Sequence, residues 1–234
     1  MFKEIEFIAQ NETVWSVYEK PKPASHFLPK WWKDLPDNTG PNFNILSSGP
    51  NSTVKRCIPT LDMFTAGYIV SLPCDVQVFI NDDGEYYTRW LITSQVFDTW
   101  SSQQVSNFEL DNKYDTKPVF KNLHGWTIKT PPGWSCYITH PIAYPNLPFK
   151  SISAIIDTDL LPSEINTPFT FKKNWTGILE KGTPMFQIIP FERNSWKAKY
   201  SFITEQEHRN NVNLIHTKLR GAYAKYFREK RSYT

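Results

Sequence analysis

The residues in this chain whose types could carry chemistry are five histidines and two pairs of carboxylates. The histidines are His26, His124, His140, His208 and His216, and the carboxylate pairs are Asp82-Asp83 and Asp157/Asp159. An open non-haem iron position takes two histidines and one carboxylate. His124 and His140, with Asp157 or Asp159, supply that ligand set for a divalent metal if separate strands bring them together. Their spacing does not demand it. There is no His-x-His, His-x-Asp, His-x-Glu or His-Glu-x-x-His, and without such a motif a histidine near a strand end is read as satisfied or exposed. Asp157 and Asp159 follow an Ile-rich run and share a face if that strand continues. Two neighbouring carboxylates can bind a metal, or raise one pKa for acid–base work. The competing reading needs only the preference of Asp for turns, and the same preference accounts for Asp82-Asp83.

Other chemical signatures do not occur. No Gly-x-Ser-x-Gly elbow is present. Neither Gly-x-Gly-x-x-Gly nor Gly-x-x-x-x-Gly-Lys occurs, so nucleotide binding through a glycine loop has no support. Cys57, Cys74 and Cys136 are odd in number and form no Cys-x-x-Cys pair. That argues against a disulfide framework and a cysteine-built zinc site, and for a reducing compartment. Cys136 falls mid-strand, where a thiol is expected to be buried and inert. Nine tryptophans and eleven tyrosines raise a stacking surface for carbohydrate or single-stranded nucleic acid, but aromatics dominate ordinary cores as well.

These residues need a scaffold. The 234 residues, 40% hydrophobic and 15% aromatic, can bury a real core. A net charge of +3 gives no case for nucleic acid. No leader-like apolar run opens the chain, and no run of 18 apolar residues occurs, so a soluble intracellular protein without a membrane span is expected. Short β-type runs punctuated by Pro and Gly fill residues 126–193. Trp126–Lys129, the turn Pro131-Pro-Gly133 and the run Trp134–Thr139 begin it. Ile152–Ile156, Phe169–Lys172 and Met185–Ile189 continue it. Upstream, Asp75–Ile80 alternates with period two, Asn81-Asp-Asp-Gly84 makes a hairpin turn, and Tyr86–Ile92 returns. Links this short and Pro-rich leave no room for βαβ crossovers. The expected fold is mainly β: an antiparallel sandwich or jelly-roll-like body over residues 1–203.

Two flanks differ from that body. Residues 19–53 form an extended arm with four prolines between 21 and 36. Within it Lys30–Leu35 makes a helical turn, and Trp31 and Trp32 anchor the arm or contact a partner. Residues 204–234 read as a basic amphipathic helix opened by the capping box Thr204-Glu-Gln-Glu207. Its end carries Lys218, Arg220, Lys225, Arg228, Lys230 and Arg231 against Glu229. Cations there suit the helix dipole, and Arg220, Lys225 and Arg228 are candidates for docking on a protein partner or a second copy. Further local readings are strands at Ile5–Ile8 and Val14–Tyr18, and a turn or short helix between Pro59 and Gly67 that Asp62 caps.

Two resemblances bear on this reading. Ile155-Ile-Asp-Thr-Asp159, with Gly182-Thr-Pro-Met-Phe-Gln-Ile-Ile189, locally resembles the trimeric dUTPases. The Arg-Ser-Gly phosphate motif of that family is missing, so the resemblance implies a compact, oligomeric β architecture and not the dUTPase activity; a nucleotide-handling homo-oligomer is the further alternative it raises. Four longer blocks resemble a family of uncharacterised proteins of tailed phages, notably large myoviruses of aquatic bacteria. They are Pro23–Lys33, Cys57–Tyr68, Thr130–Pro141 and Lys181–Lys197. This second resemblance implies a viral source, with the host cytoplasm or the virion as location. The expectation is a phage-encoded binding or structural accessory protein without a cofactor. Its alternative is a cupin-like metal-dependent enzyme, such as a non-haem iron oxygenase.

Overall fold

The structure is a computed structural model that describes residues 3–38, 53–101, 103–105, 113–114, 118–217 and 222–234. Its described elements run in the order β1 (Glu6–Ala9), α1 (Glu12–Val17), β2 (Lys22–Pro23), α2 (Lys30–Asp34), α3 (Ile58–Phe64), β3 (Tyr68–Ser71), β4 (Val76–Ile80), β5 (Tyr86–Trp90), β6 (Phe97–Trp100), β7 (Val119–Asn122) and β8 (Trp126–Lys129). They continue with β9 (Trp134–Thr139), β10 (Phe149–Ser151), β11 (Ala154–Ile156), β12 (Thr167–Phe171), β13 (Gly177–Leu179), β14 (Pro184–Glu192), α4 (Glu205–Thr217) and α5 (Ala222–Tyr226). Every strand pairing among the described residues is antiparallel, so the mainly β, sandwich-type architecture expected from the Pro/Gly rhythm is what the chain forms.

Contacts divide the chain into two compact units, residues 1–30 with 64–193 and 234, and residues 31–63 with 194–233. The first unit is the β body. Its two larger sheets have the strand orders β11-β9-β14-β3-β2 and β10-β12-β7-β6, and smaller sheets are β1-β8 and β13-β4-β5. Alternation turns Phe97, Phe120, Phe149, Phe169 and Phe171 of one large sheet inward, into one core with Val70, Ile138, Phe186 and Ile188 of the other. The phenylalanine rings meet edge-to-face or offset, for example Phe97–Phe169 and Phe120–Phe171, both at 4.9 Å between centroids. Each such pair adds about 0.5–1.5 kcal/mol beyond area burial.

Two local readings change. Val14–Tyr18 is not a strand. Asn11 caps a helix there, its Oδ1 accepting from Val14 N–H at 3.0 Å, and Val14 and Tyr18 pack on Trp126. Its short apolar run fits one buried helical stripe as well as a strand. Asp62 does not cap α3 but lies inside it. Gly67, just beyond, has φ +67°, and a Cβ there would sit 1.8 Å from the carbonyl oxygen of Ile188. Only glycine allows β14 to pass so close.

In the second unit Arg228 forms a two-pronged ion pair with Asp62, with Nε to Oδ2 at 2.9 Å and Nη2 to Oδ1. Helix α4 opens on the expected capping box. Thr204 N–H donates to Glu207 Oε2 at 2.8 Å, and Glu207 N–H donates to Thr204 Oγ1 at 3.2 Å. Helical structure among the described residues ends at Tyr226, short of the expected 234. None of the described helices is long and apolar enough to cross a membrane.

Candidate functional site

The four proposed metal ligands separate into two kinds of environment. His140 follows β9 and is buried. Its Nε2 donates to Tyr144 C=O at 3.0 Å, and its Nδ1 accepts from Ser151 N–H at 3.3 Å. Those contacts set the neutral tautomer and use both ring nitrogens. Burial, the largest cause, lowers its pKa to about 4. His124, in the β7–β8 connection, is also buried and packs on Phe186 with ring centroids 4.9 Å apart. Its Nδ1 accepts from Trp126 N–H at 3.1 Å, and burial lowers its pKa to about 4 as well. Both imidazoles act as neutral spacers in the sandwich. A metal at His140 would have to displace Tyr144 or Ser151. Among the described residues no group of three or more His, Cys, Asp or Glu is placed to hold a metal ion.

Asp157 and Asp159 do converge, on a residue the sequence reading passed over. Arg193, one step beyond β14, sets Nη1 2.5 Å from Asp159 Oδ1 and Nη2 2.6 Å from Asp159 Oδ2. The same Nη1 reaches Asp157 Oδ1, Ser135 Oγ and the Trp134 carbonyl, each at 3.3 Å. Ser135 Oγ donates to Asp157 Oδ1 at 2.6 Å, and Gly133 N–H donates to Asp159 Oδ2 at 2.8 Å. The Asp159 side chain is 5% exposed. The hydrogen bonds from Arg193, foremost, hold its pKa down at about 2. A carboxylate so saturated with donors stays ionised at neutral pH and is not a general acid.

This knot ties the ends of three strands of one sheet. The Pro131-Pro-Gly133 turn leads into β9, Asp157 and Asp159 follow β11, and Arg193 follows β14. Thr158 between the two aspartates bonds Thr130 Oγ1 at 2.7 Å and Cys136 Sγ at 3.4 Å. Burial raises the Cys136 thiol to about 11, so it is no nucleophile. Beside the knot opens a cleft of about 260 Å³ lined by Ile8, Thr127, Lys129, Asp159, Leu160, Leu161 and Pro162. A bidentate Arg–carboxylate pair is legible from sequence only when its partners are local. Here 34 residues separate them.

The flank candidates also divide. Trp32 is 3% exposed and Trp31 46% exposed, in edge-to-face contact at 5.7 Å. Trp32 is therefore an anchor and not a partner-binding residue, because its indole is already covered. Arg228 is engaged by Asp62, which spends its charge inside the chain. Lys225 is exposed, with Nζ 5.2 Å from the Tyr226 ring centroid. Arg220 lies outside the described residues. The sequence reading missed the segment 194–203, between β14 and α4, where Trp196, Tyr200 and Phe202 are 91%, 92% and 95% exposed.

No family model, no curated protein and no solved structure matches this chain.

Proposed function

We propose that this protein is a binding or structural accessory protein of a tailed phage, and that the segment after β14 is its main contact element. One observation carries the reading: Trp196, Tyr200 and Phe202 stand together in solvent on a single stretch of chain. Three large aromatics exposed within seven residues are unusual, and Trp and Tyr are enriched at binding hot spots. The environments of His140, Asp157 and Asp159 support the non-catalytic half of the reading, since each is held by hydrogen bonds from its own scaffold. The phage-like blocks support the viral half.

The test is photo-cross-linking. Benzoylphenylalanine replaces Trp196, Tyr200 or Phe202 in turn, in cells expressing the chain alone or with the genes that flank its own. Covalent adducts to a polypeptide are expected from all three positions. Recovery of unadducted chain alone, in both settings, refutes the reading.

A further inference from the structure

From Ser195 to Phe202 the chain reads Ser-Trp-Lys-Ala-Lys-Tyr-Ser-Phe. Trp196, Ala198, Tyr200 and Phe202 fall on one face, and Ser195, Lys197, Lys199 and Ser201 fall on the other. Strict period-two alternation over eight residues is the pattern of a half-buried β-strand. Yet residues 194–202 belong to no strand and pair with none among the described residues. They are exposed throughout. A strand-patterned segment with no sheet of its own can add to the edge of another sheet.

The β body offers an acceptor. Strand β11 is the edge of the five-stranded sheet, only three residues long. Ile155 on it is 67% exposed, and Leu160 just beyond it is 71% exposed. Ile155 pairs in register with Tyr137 of β9, whose ring is also partly exposed, so the apolar strip continues one strand inward. The cleft lined by Ile8 and Leu160 lies at the end of this edge and has room for a large side chain. Asp157 terminates the edge with its carboxylate half-exposed, facing the charge that Lys197 and Lys199 would bring. Short as it is, β11 has no strand on its outer side among the described residues, and an added strand would cover its apolar strip.

We propose that residues 195–202 of one copy add as a strand to β11 of a second copy, and that the exchange is reciprocal. This rests on reading the segment after β14 as a contact element, and commits that element to a second copy of the chain. The size is adequate. Three aromatics bury about 150–250 Å² each, so two arms bring roughly 900–1,500 Å² before the acceptor surfaces are counted. Stable two-fold interfaces bury about 1,200–2,000 Å² in total.

Solution mass by light scattering at tens of micromolar, on the full chain, tests this. The wild type should be a dimer. Replacing Trp196, Tyr200 and Phe202 with Ser should yield a monomer that still unfolds in one cooperative transition, its midpoint lowered only by the lost association. Ile155→Lys should also yield a monomer, whereas Ile178→Lys, at an exposed position on a different edge strand, β13, should remain dimeric. Mixing the arm variant with Ile155→Lys restores one donor and one acceptor, so heterodimers should reappear, more weakly. A monomeric wild type, or a dimer indifferent to Ile155→Lys, overturns the proposal. If the wild type is monomeric while the photo-cross-links reach a different protein, the exchange fails and the binding role stands.

Discussion

His124 and His140 make acid stability the most quantitative test of this structure. In the folded chain both pKa values are lowered to about 4, chiefly by burial. In the unfolded chain each imidazole returns to about 6.5. A depressed folded pKa means that the unfolded chain binds the extra protons. The stability each histidine contributes is therefore fully present above pH 6.5, shrinks as pH falls, and is gone below about pH 4. A gap of about 2.5 pH units corresponds to about 3 kcal/mol for each residue. Together they amount to a large part of the 5–15 kcal/mol that holds a typical domain. Between pH 6 and 4.5 each neutral imidazole should add about 1 kcal/mol per pH unit to the slope of unfolding free energy. The assay is urea unfolding followed by tryptophan fluorescence at half-unit pH steps, on the wild type and on His140→Gln. The variant will be less stable at pH 7, because the Ser151 and Tyr144 contacts change. The decisive quantity is its slope, which should fall below that of the wild type by about 1 kcal/mol per pH unit. Carboxylate titration is common to both proteins and cancels in the difference. Equal slopes, or histidine NMR resonances that titrate near 6.5 in the folded protein, would refute the burial argument.

Three further outcomes are expected. Arg193→Met should lower the thermal midpoint at pH 7 more than the double replacement Arg193→Met with Asp159→Asn, because the single change strands an enclosed carboxylate; a double-mutant cycle with no coupling would contradict the knot. Gly67→Ala should cost at least about 2 kcal/mol, since it combines left-handed strain with a clash against the Ile188 carbonyl, and a chemical denaturation midpoint equal to the wild type's would count against that close approach. Thr204→Ala should weaken the start of α4 by about 1 kcal/mol. The effect should be seen as faster amide exchange at residues 205–208 with no change in the global midpoint, and unchanged exchange there would remove the capping box.

What the sequence determined by itself was chemistry that closes within a few residues. In the hairpin turn Asn81 Oδ1 accepts from Asp83 N–H at 3.1 Å and Glu85 N–H at 2.8 Å, and Gly84 takes φ +80°. The capping box at Thr204 and Glu207 and the turn before β9 are of the same kind, as is the alternation of β4. Local bonds and period-two patterns need no knowledge of what lies across the molecule, so the β class was readable. Strands β6 and β7 flank a polar stretch and carry little pattern of their own; their phenylalanines become core only when β12 lies beside them. Helix α1 depended on the Asn11 cap and on Trp126, more than a hundred residues away. The histidine and aspartate set shows the same division. Residue type marked His140 and Asp159 as able to ligate a metal. Only the tertiary structure brought Tyr144 and Ser151 to the two nitrogens of one, and Arg193 to the two oxygens of the other. A side chain's chemistry is set by the partners that fold around it, and those partners come from strands whose order in the sheet is not their order in the chain.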